Sequence, residues 1–187
     1  MRSTGEVMSF GRTFPEAFAK AQIAAGDPLP TQGTVLVSLA DHDKREGVPL
    51  IAQLKDWGFR IVATGNTARM LQSMGIPTES IAKVGEGRPD VVDLITQGKV
   101  HLVINTPSAG LIRDPAPAPF VPTSTEDRGL HLPIHGERSS GFRMRIAALE
   151  NHVPYMTNLL SLRAAVAAIR SQLSGPFSVE RLGDRMA

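Results

Sequence analysis

Phe59-Arg60-Ile61-Val62-Ala63-Thr64-Gly65-Asn66-Thr67-Ala68-Arg69-Met70-Leu71 decides how the chain is read. Ile61 to Ala63 is a short apolar run bounded by turn signals, as in a buried strand, and Ala68, Met70, Leu71 and Met74 follow at roughly helical spacing. The polar residues Thr64 to Thr67 between them are predicted to form a turn of four residues where a strand's carboxyl end meets a helix's amino end. Such a junction presents backbone N–H groups without intrahelical partners and the positive end of the helix dipole, and threonine hydroxyls add side-chain donors. A phosphate or carboxylate suits that setting. Thr and Asn are also ordinary capping residues, so the turn alone does not separate a helix cap from an anion site.

Outward from this stretch the same pattern repeats. Thr34 to Leu39 reads as a strand and Lys44 to Trp57 as a helix, with Pro49 tolerated near its first turn and Gly58 as its stop. Thr78 to Ala82 reads as a third strand, and a helix begun by Pro89-Asp90 closes at Gly98. Val100 to Asn105 is a fourth strand, Ser139 to His152 a helix, Val153 to Met156 a fifth strand, and Leu159 to Leu173 a final helix. Five strands alternating with five helices predict an α/β fold, a doubly wound parallel sheet covered on both faces, with ligands bound beyond the carboxyl ends of the strands. Before this region, Thr13-Phe14-Pro15-Glu16 is a capping box that starts a helix to about Ala25. Gly26 to Gly33, with its prolines and glycines, reads as a linker.

Two stretches fall outside the alternation. From about 108 to 140 a proline-rich run including Asp114-Pro115-Ala116-Pro117-Ala118-Pro119 reads as a long loop inserted after the fourth strand. His131 and His135 lie within it, but Pro133 between them argues against a helical metal pair, and no metal site is expected. Residues 176–187 read as a frayed tail.

Composition narrows the function classes. The 187 residues include no cysteine, which rules out disulfides, thiolate catalysis and cysteine-ligated zinc. A net charge of +2 without a basic run does not support nucleic-acid binding. No apolar stretch reaches the length of a membrane span and the first residues lack a signal-peptide core, so a cytoplasmic, membrane-free protein is expected.

The predicted sheet would gather Ser38, Asp43-Lys44, Thr64, Thr67, Lys83 and Asn105-Thr106 at one end. Lysine ammonium groups, hydroxyls and helix-start N–H groups are the donors that a phosphate dianion requires. Each residue alone also has an ordinary structural explanation as a solvated charge, a cap or a turn former.

Four stretches carry a resemblance: Met1-Arg2-Ser3-Thr4-Gly5-Glu6-Val7-Met8, Arg12-Thr13-Phe14-Pro15-Glu16-Ala17-Phe18-Ala19-Lys20-Ala21, Lys83-Val84-Gly85-Glu86-Gly87-Arg88-Pro89 and Ile104-Asn105-Thr106. They resemble the carboxyl-terminal end of the carbamoyl phosphate synthetase large subunit, from Met1 to about Leu173. The resemblance implies that residues 1–33 are the tail of an ATP-grasp synthetase region plus linker, and residues 34–175 a regulatory domain with the methylglyoxal synthase fold. It further implies an allosteric role without catalytic residues of its own. Lys44, Thr64, Thr67 and Lys83 would hold the phosphate of a uridine or inosine monophosphate effector, and Ser38, Asn66, Asn105 and Thr106 its remainder. ATP, magnesium and potassium would belong to the synthetase part, leaving this segment without a cofactor. The implied partners are the synthetase core and the glutaminase small subunit, with a possible homo-oligomer through this domain, in an ATP-dependent ligase of pyrimidine and arginine biosynthesis. Pro107 and Met156 depart from the family, standing where enteric relatives carry a nucleotide-contacting threonine and an aspartate near the ornithine site, so whether ornithine binds stays open. A small phosphate-eliminating lyase like methylglyoxal synthase is the alternative. Arg88 and Ser108 stand where its catalytic aspartates would be, and Asp41, Asp43, Glu86 and Asp90 are nearby acids that could substitute only on paper. A fragment, an excised piece and the product of a split gene would all fit this length.

Overall fold

A computed structural model describes residues 7–107 and 140–177. Strands β1 (Thr34–Ser38), β2 (Arg60–Thr64), β3 (Glu79–Ile81), β4 (Leu102–Asn105) and β5 (Tyr155–Met156) form one parallel sheet in the order β3-β2-β1-β4-β5. β1 is central, its Val35 aligned with Ile61 on one side and Leu102 on the other. Alternation along the strands splits the core in two. Val35, Val37, Ile61, Ala63, Leu102 and Ile104 face α2 (Lys44–Asp56), α3 (Gly65–Ser73) and α6 (Leu159–Leu173). Leu36, Val62 and Val103 face α4 (Val91–Thr96) and α5 (Ser140–Glu150). Strands buried on both faces need apolar residues at every position, which is why β1, β2 and β4 are nearly unbroken apolar runs. The doubly wound parallel sheet expected from the sequence is therefore the fold that forms.

The differences have local causes. Thr64 to Thr67 is not a separate turn, because β2 continues through Thr64 and α3 opens at Gly65. Thr64 caps the helix in the same extended conformation that ends the strand (φ −78, ψ 140), so no loop residue is needed. Pro49 lies in the second turn of α2 rather than near its start; it is exposed, so the Arg45 carbonyl deprived of an N–H partner lies on the solvent side. β3 begins at Glu79, and the Thr78 carbonyl before it is taken by the Gln72 side chain at 2.8 Å rather than by the sheet. β4 begins at Leu102 although Val100 is already in the core. α4 is capped by Asp90, whose carboxylate accepts from the Val92 and Asp93 N–H groups while the Asp93 carboxylate accepts from Asp90 N–H.

The amino-terminal helix α1 (Phe14–Ala24) packs on α6 and buries Ala19 in the first core cluster. Thr13 accepts from Glu16 N–H as a capping box requires, while the Glu16 carboxylate reaches Arg12 N–H at 2.8 Å, one residue before the cap. The stretch read as a linker is pinned to the same body: Leu29 is buried and the Gly33 carbonyl accepts from Arg60 N–H at 2.9 Å. The start of the expected tail docks as well, with Phe177 packed against the core beside Lys20. The expected insertion from 108, with His131, His135 and Pro133, lies outside the described residues, as do residues 1–6 and 178–187. No helix among the described residues is long and apolar enough to cross a membrane.

Gly33 enters β1 at φ +114, with the His101 ring where a side chain would project: a Cβ would lie 2.6 Å from His101 Cγ. His101 Nδ1 is meanwhile bonded to Thr34 N–H at 3.1 Å, which fixes the ring. Gly33→Ala is expected to cost about 1–3 kcal/mol in urea unfolding, as residues forced into such backbone conformations do.

Candidate functional site

The chain leaves β1 towards β2 and leaves β4 towards β5, so the strand order reverses between these two central neighbours. A crevice at such a reversal is where open α/β sheets place ligands. Here Ser38 is aligned with Asn105, and the next residue, Thr106, donates its N–H to the Ser38 carbonyl at 3.1 Å. Beyond them opens a cavity of about 370 Å³.

All eight residues that the resemblance assigns to the effector line it, whereas Asp43, also expected at this end of the sheet, does not. Ser38 comes from β1, Lys44 from the start of α2, Thr64, Asn66 and Thr67 from the β2–α3 junction. Lys83 follows β3, and Asn105 and Thr106 end β4. The hydroxyls have structural duties that the sequence reading did not assign. Thr106 Oγ1 accepts from Ala40 N–H at 2.8 Å, and Thr67 Oγ1 accepts from Leu39 N–H at 3.1 Å. Thr64 donates to the Ser38 hydroxyl at 3.1 Å. The Asn66 side-chain oxygen is held by Arg69. α3 opens with no side-chain bond from its cap, so its first N–H groups depend on an outside acceptor.

Charge in the crevice is unbalanced. Lys44, Lys83 and Arg145 line it, against Asp41 as the one acidic lining residue among those described. Asp41 is bonded to Lys44, whose side chain is 12% exposed while that of Asp41 is 87% exposed. The hydrogen bond from Lys44 and then its charge hold the Asp41 carboxyl below its ordinary value, with smaller help from His42 and Lys83. The other acids weighed as bases are engaged elsewhere. Asp43 pairs with His42, Glu86 accepts from Lys83 N–H, and Asp90 caps α4. Arg88 pairs with Asp93 with its side chain 80% exposed, outside the crevice lining, and Ser108 lies outside the described residues. Among the described residues no cluster of three metal-ligating side chains occurs.

The sequence reading missed the contribution of α5. Ser140 accepts from Val84 N–H at 3.2 Å, Gly141 lies against Asn105, and Arg145 donates to the Asn105 side-chain oxygen. A signal was present in the spacing. Gly141 and Arg145 are four apart and share one helix face, at the amino end of the helix that follows the reversal strand.

A family model described as "MGS-like domain" matches residues 46–114. The chain belongs to the MGS-like domain family. The domain is similar to the "Carbamoyl phosphate synthase large chain" of Thermotoga petrophila, at 52% identity over 98% of this chain and 16% of the relative. It is also similar to the "Carbamoyl phosphate synthase large chain, C-terminal section" of Methanopyrus kandleri, at 40% identity over 90% of this chain and 27% of that protein. The chain thus corresponds to the carboxyl-terminal part of such large chains, and spans between 16% and 27% of the length of these two relatives. A solved methylglyoxal synthase from Elizabethkingia anophelis aligns over 84% of this chain and 92% of its own, at 16% identity and a TM-score of 0.46.

Within this MGS-like domain the Thr106 hydroxyl is 2.8 Å from a backbone donor, Ala40 N–H, that has no other bond among the described residues. Thr106→Val removes the acceptor and keeps the shape. It is expected to cost about 1–3 kcal/mol, the usual penalty for an orphaned buried donor, read as a lower urea midpoint with an unchanged slope.

Proposed function

We propose that this MGS-like domain is the regulatory part of a carbamoyl phosphate synthase large chain, binding a nucleoside monophosphate effector through its phosphate. The observation that carries the reading is the meeting of Lys44, Lys83 and the opening N–H groups of α3 at one crevice on the strand-order reversal. Thr64 and Ser38 share one hydrogen bond between two hydroxyls and so retain a proton for the ligand. A uridine or inosine monophosphate fits the family resemblance.

In this reading the domain supplies no catalytic group and no cofactor site. ATP, magnesium and potassium belong to the synthetase core, which with the glutaminase subunit is the partner of this domain in the cytoplasm. Effector binding changes the glutamine- and ATP-dependent synthesis of carbamoyl phosphate, for pyrimidines and arginine, through a coupling of about 1–3 kcal/mol between sites. The lyase alternative finds no free base among the described lining residues: Asp41 is bonded to Lys44, which makes it a weaker proton acceptor.

Two outcomes test the phosphate site. Uridine or inosine monophosphate should raise the unfolding temperature of the chain, and Lys44→Ala should weaken binding about 10- to 100-fold, the loss of one charge-assisted hydrogen bond. No shift with any nucleotide or with phosphate would sink the proposal. Asp41 stays ionised at neutral pH and competes with an anion for Lys44, so Asp41→Asn should tighten phosphate binding several-fold in titration calorimetry. In the wild-type chain the lowered carboxyl stays ionised, and keeps competing for Lys44, into more acid conditions than an ordinary aspartate would.

A further inference from the structure

A groove of about 610 Å³, larger than the crevice, runs along α6 between α2 and the start of α1. Leu50 of α2 and Val166 and Ala167 of α6 give it an apolar floor. Arg163 and Arg170 flank that floor and are its only ionisable lining residues among those described. They lie on one face of α6, two turns or about 10 Å apart. Arg163 pairs with Glu46 at 2.6 Å, but a guanidinium has further donors to share. Arg170 makes no bond through its guanidinium to any described residue. The groove thus presents a cation, an apolar patch and a second cation in a row, with no acid in its lining.

The described chain ends beside this groove. Ser171 and Ser174 line both it and a smaller cavity formed with Gly175, Pro176 and Phe177. After Phe177 come Ser178-Val179-Glu180-Arg181-Leu182-Gly183-Asp184-Arg185-Met186-Ala187. Alternate residues of an extended chain share a side, which would put Glu180, Leu182 and Asp184 on one side and Arg181 and Arg185 on the other. The alternation therefore sorts acids from bases. Acid, leucine, acid is the complement of arginine, apolar floor, arginine. The spans agree as well, since four extended residues cover about 13 Å and long side chains absorb the difference. Three residues beyond Phe177 reach about 10 Å, enough to return from the end of α6 to Arg170.

We propose that residues 178–187 bind back along α6 in this groove, with Glu180 at Arg170, Leu182 on Leu50 and Val166, and Asp184 at Arg163. The segment runs antiparallel to α6 and ties three elements together, because Thr13 and Pro15 at the start of α1 also line the groove. Exposed ion pairs contribute little by themselves, so the leucine supplies most of the attraction and the arginines set direction and register. This docking is separate from the crevice and does not depend on what binds there.

The chain contains no cysteine, so an introduced pair reports the contact without background. Gln53 lines the groove, whereas the exposed Gln97 ends α4 on the other side of the sheet. Under mild oxidation of the full chain, Gln53→Cys with Leu182→Cys is expected to form an intrachain disulfide at least about tenfold faster than Gln97→Cys with Leu182→Cys, because docking raises the effective concentration at one site alone. Equal rates overturn the proposal, and so does a preference that persists in urea. A disulfide between chains, faster at higher protein concentration, gives the groove to a second copy and overturns it too. Arg170→Glu added to the Gln53–Leu182 pair should slow cross-linking several-fold, and Glu180→Arg added to that variant should restore it. Failure of this charge exchange to restore the rate overturns the proposed register.

Discussion

Where β1 ends, the chain must leave the sheet while its N–H groups are still inside the protein, and that constraint organises the site. Leu39 and Ala40 are both buried, and each unpaired N–H there would cost about 1–3 kcal/mol. The donors are met by hydroxyls from two other elements, Thr67 of α3 and Thr106 after β4. Three strand ends are tied together by side chains at the level where their backbone pairing stops. The crevice exists because the ties stop there and the chains diverge beyond them, carrying Lys44 away on α2 and Lys83 on the segment after β3.

Once the strand ends are fixed, the charge follows. Several cations brought to one cavity repel each other, and burial sharpens the repulsion by lowering the local dielectric. Asp41 offsets part of this from an exposed position, where a carboxylate keeps most of its hydration. Arg145 spends a donor on a neutral amide rather than on a second acid. The amino ends of α3 and α5 add further donors to the same wall. On the phosphate-binding reading, such a site is preorganised for its anion, because donors are held by contacts that do not involve the ligand.

The elements that were legible in the sequence were those in which one period dominates. β1, β2 and β4 read as strands because burial on both faces leaves no polar alternation, and α6 was placed to the residue because it runs long between Asn158 and Gly175. The site residues were legible for a topological reason: residues at or just past the carboxyl ends of β1 to β4 meet at the crevice in this fold. What could not be read was direction. That Thr67 and Thr106 turn their hydroxyls to the neighbouring backbone depends on how far apart the strand ends lie, which no single segment encodes. Arg145 escaped for a related reason, since it reaches the crevice across the sheet from a helix 40 residues beyond Asn105. The junction at Thr64 was misread because a strand end and a helix cap share the same backbone conformation.

On the regulatory reading, occupancy of the crevice has to reach the surface that joins this domain to the rest of a synthetase, and packing supplies a continuous path. Thr67 holds the Leu39 backbone from the crevice side. The Leu39 side chain packs the other way, so close to Gly47 of α2 that a Cβ there would lie 2.7 Å from it and 3.6 Å from Leu159 of α6. α6 in turn carries α1. A path of contacts is not in itself coupling, which requires the ligand to bind two arrangements of that path unequally. At the Leu39–Gly47 contact a side chain at 47 would meet Leu39, and close-packed interiors yield by switching arrangement rather than by continuous deformation. Any ligand that draws Lys44 and Thr67 together acts on both ends of that step, since Lys44 opens α2 and Thr67 grips Leu39. The anion site and the packing of α1 against α6 are thus joined through one leucine and the glycine that makes room for it.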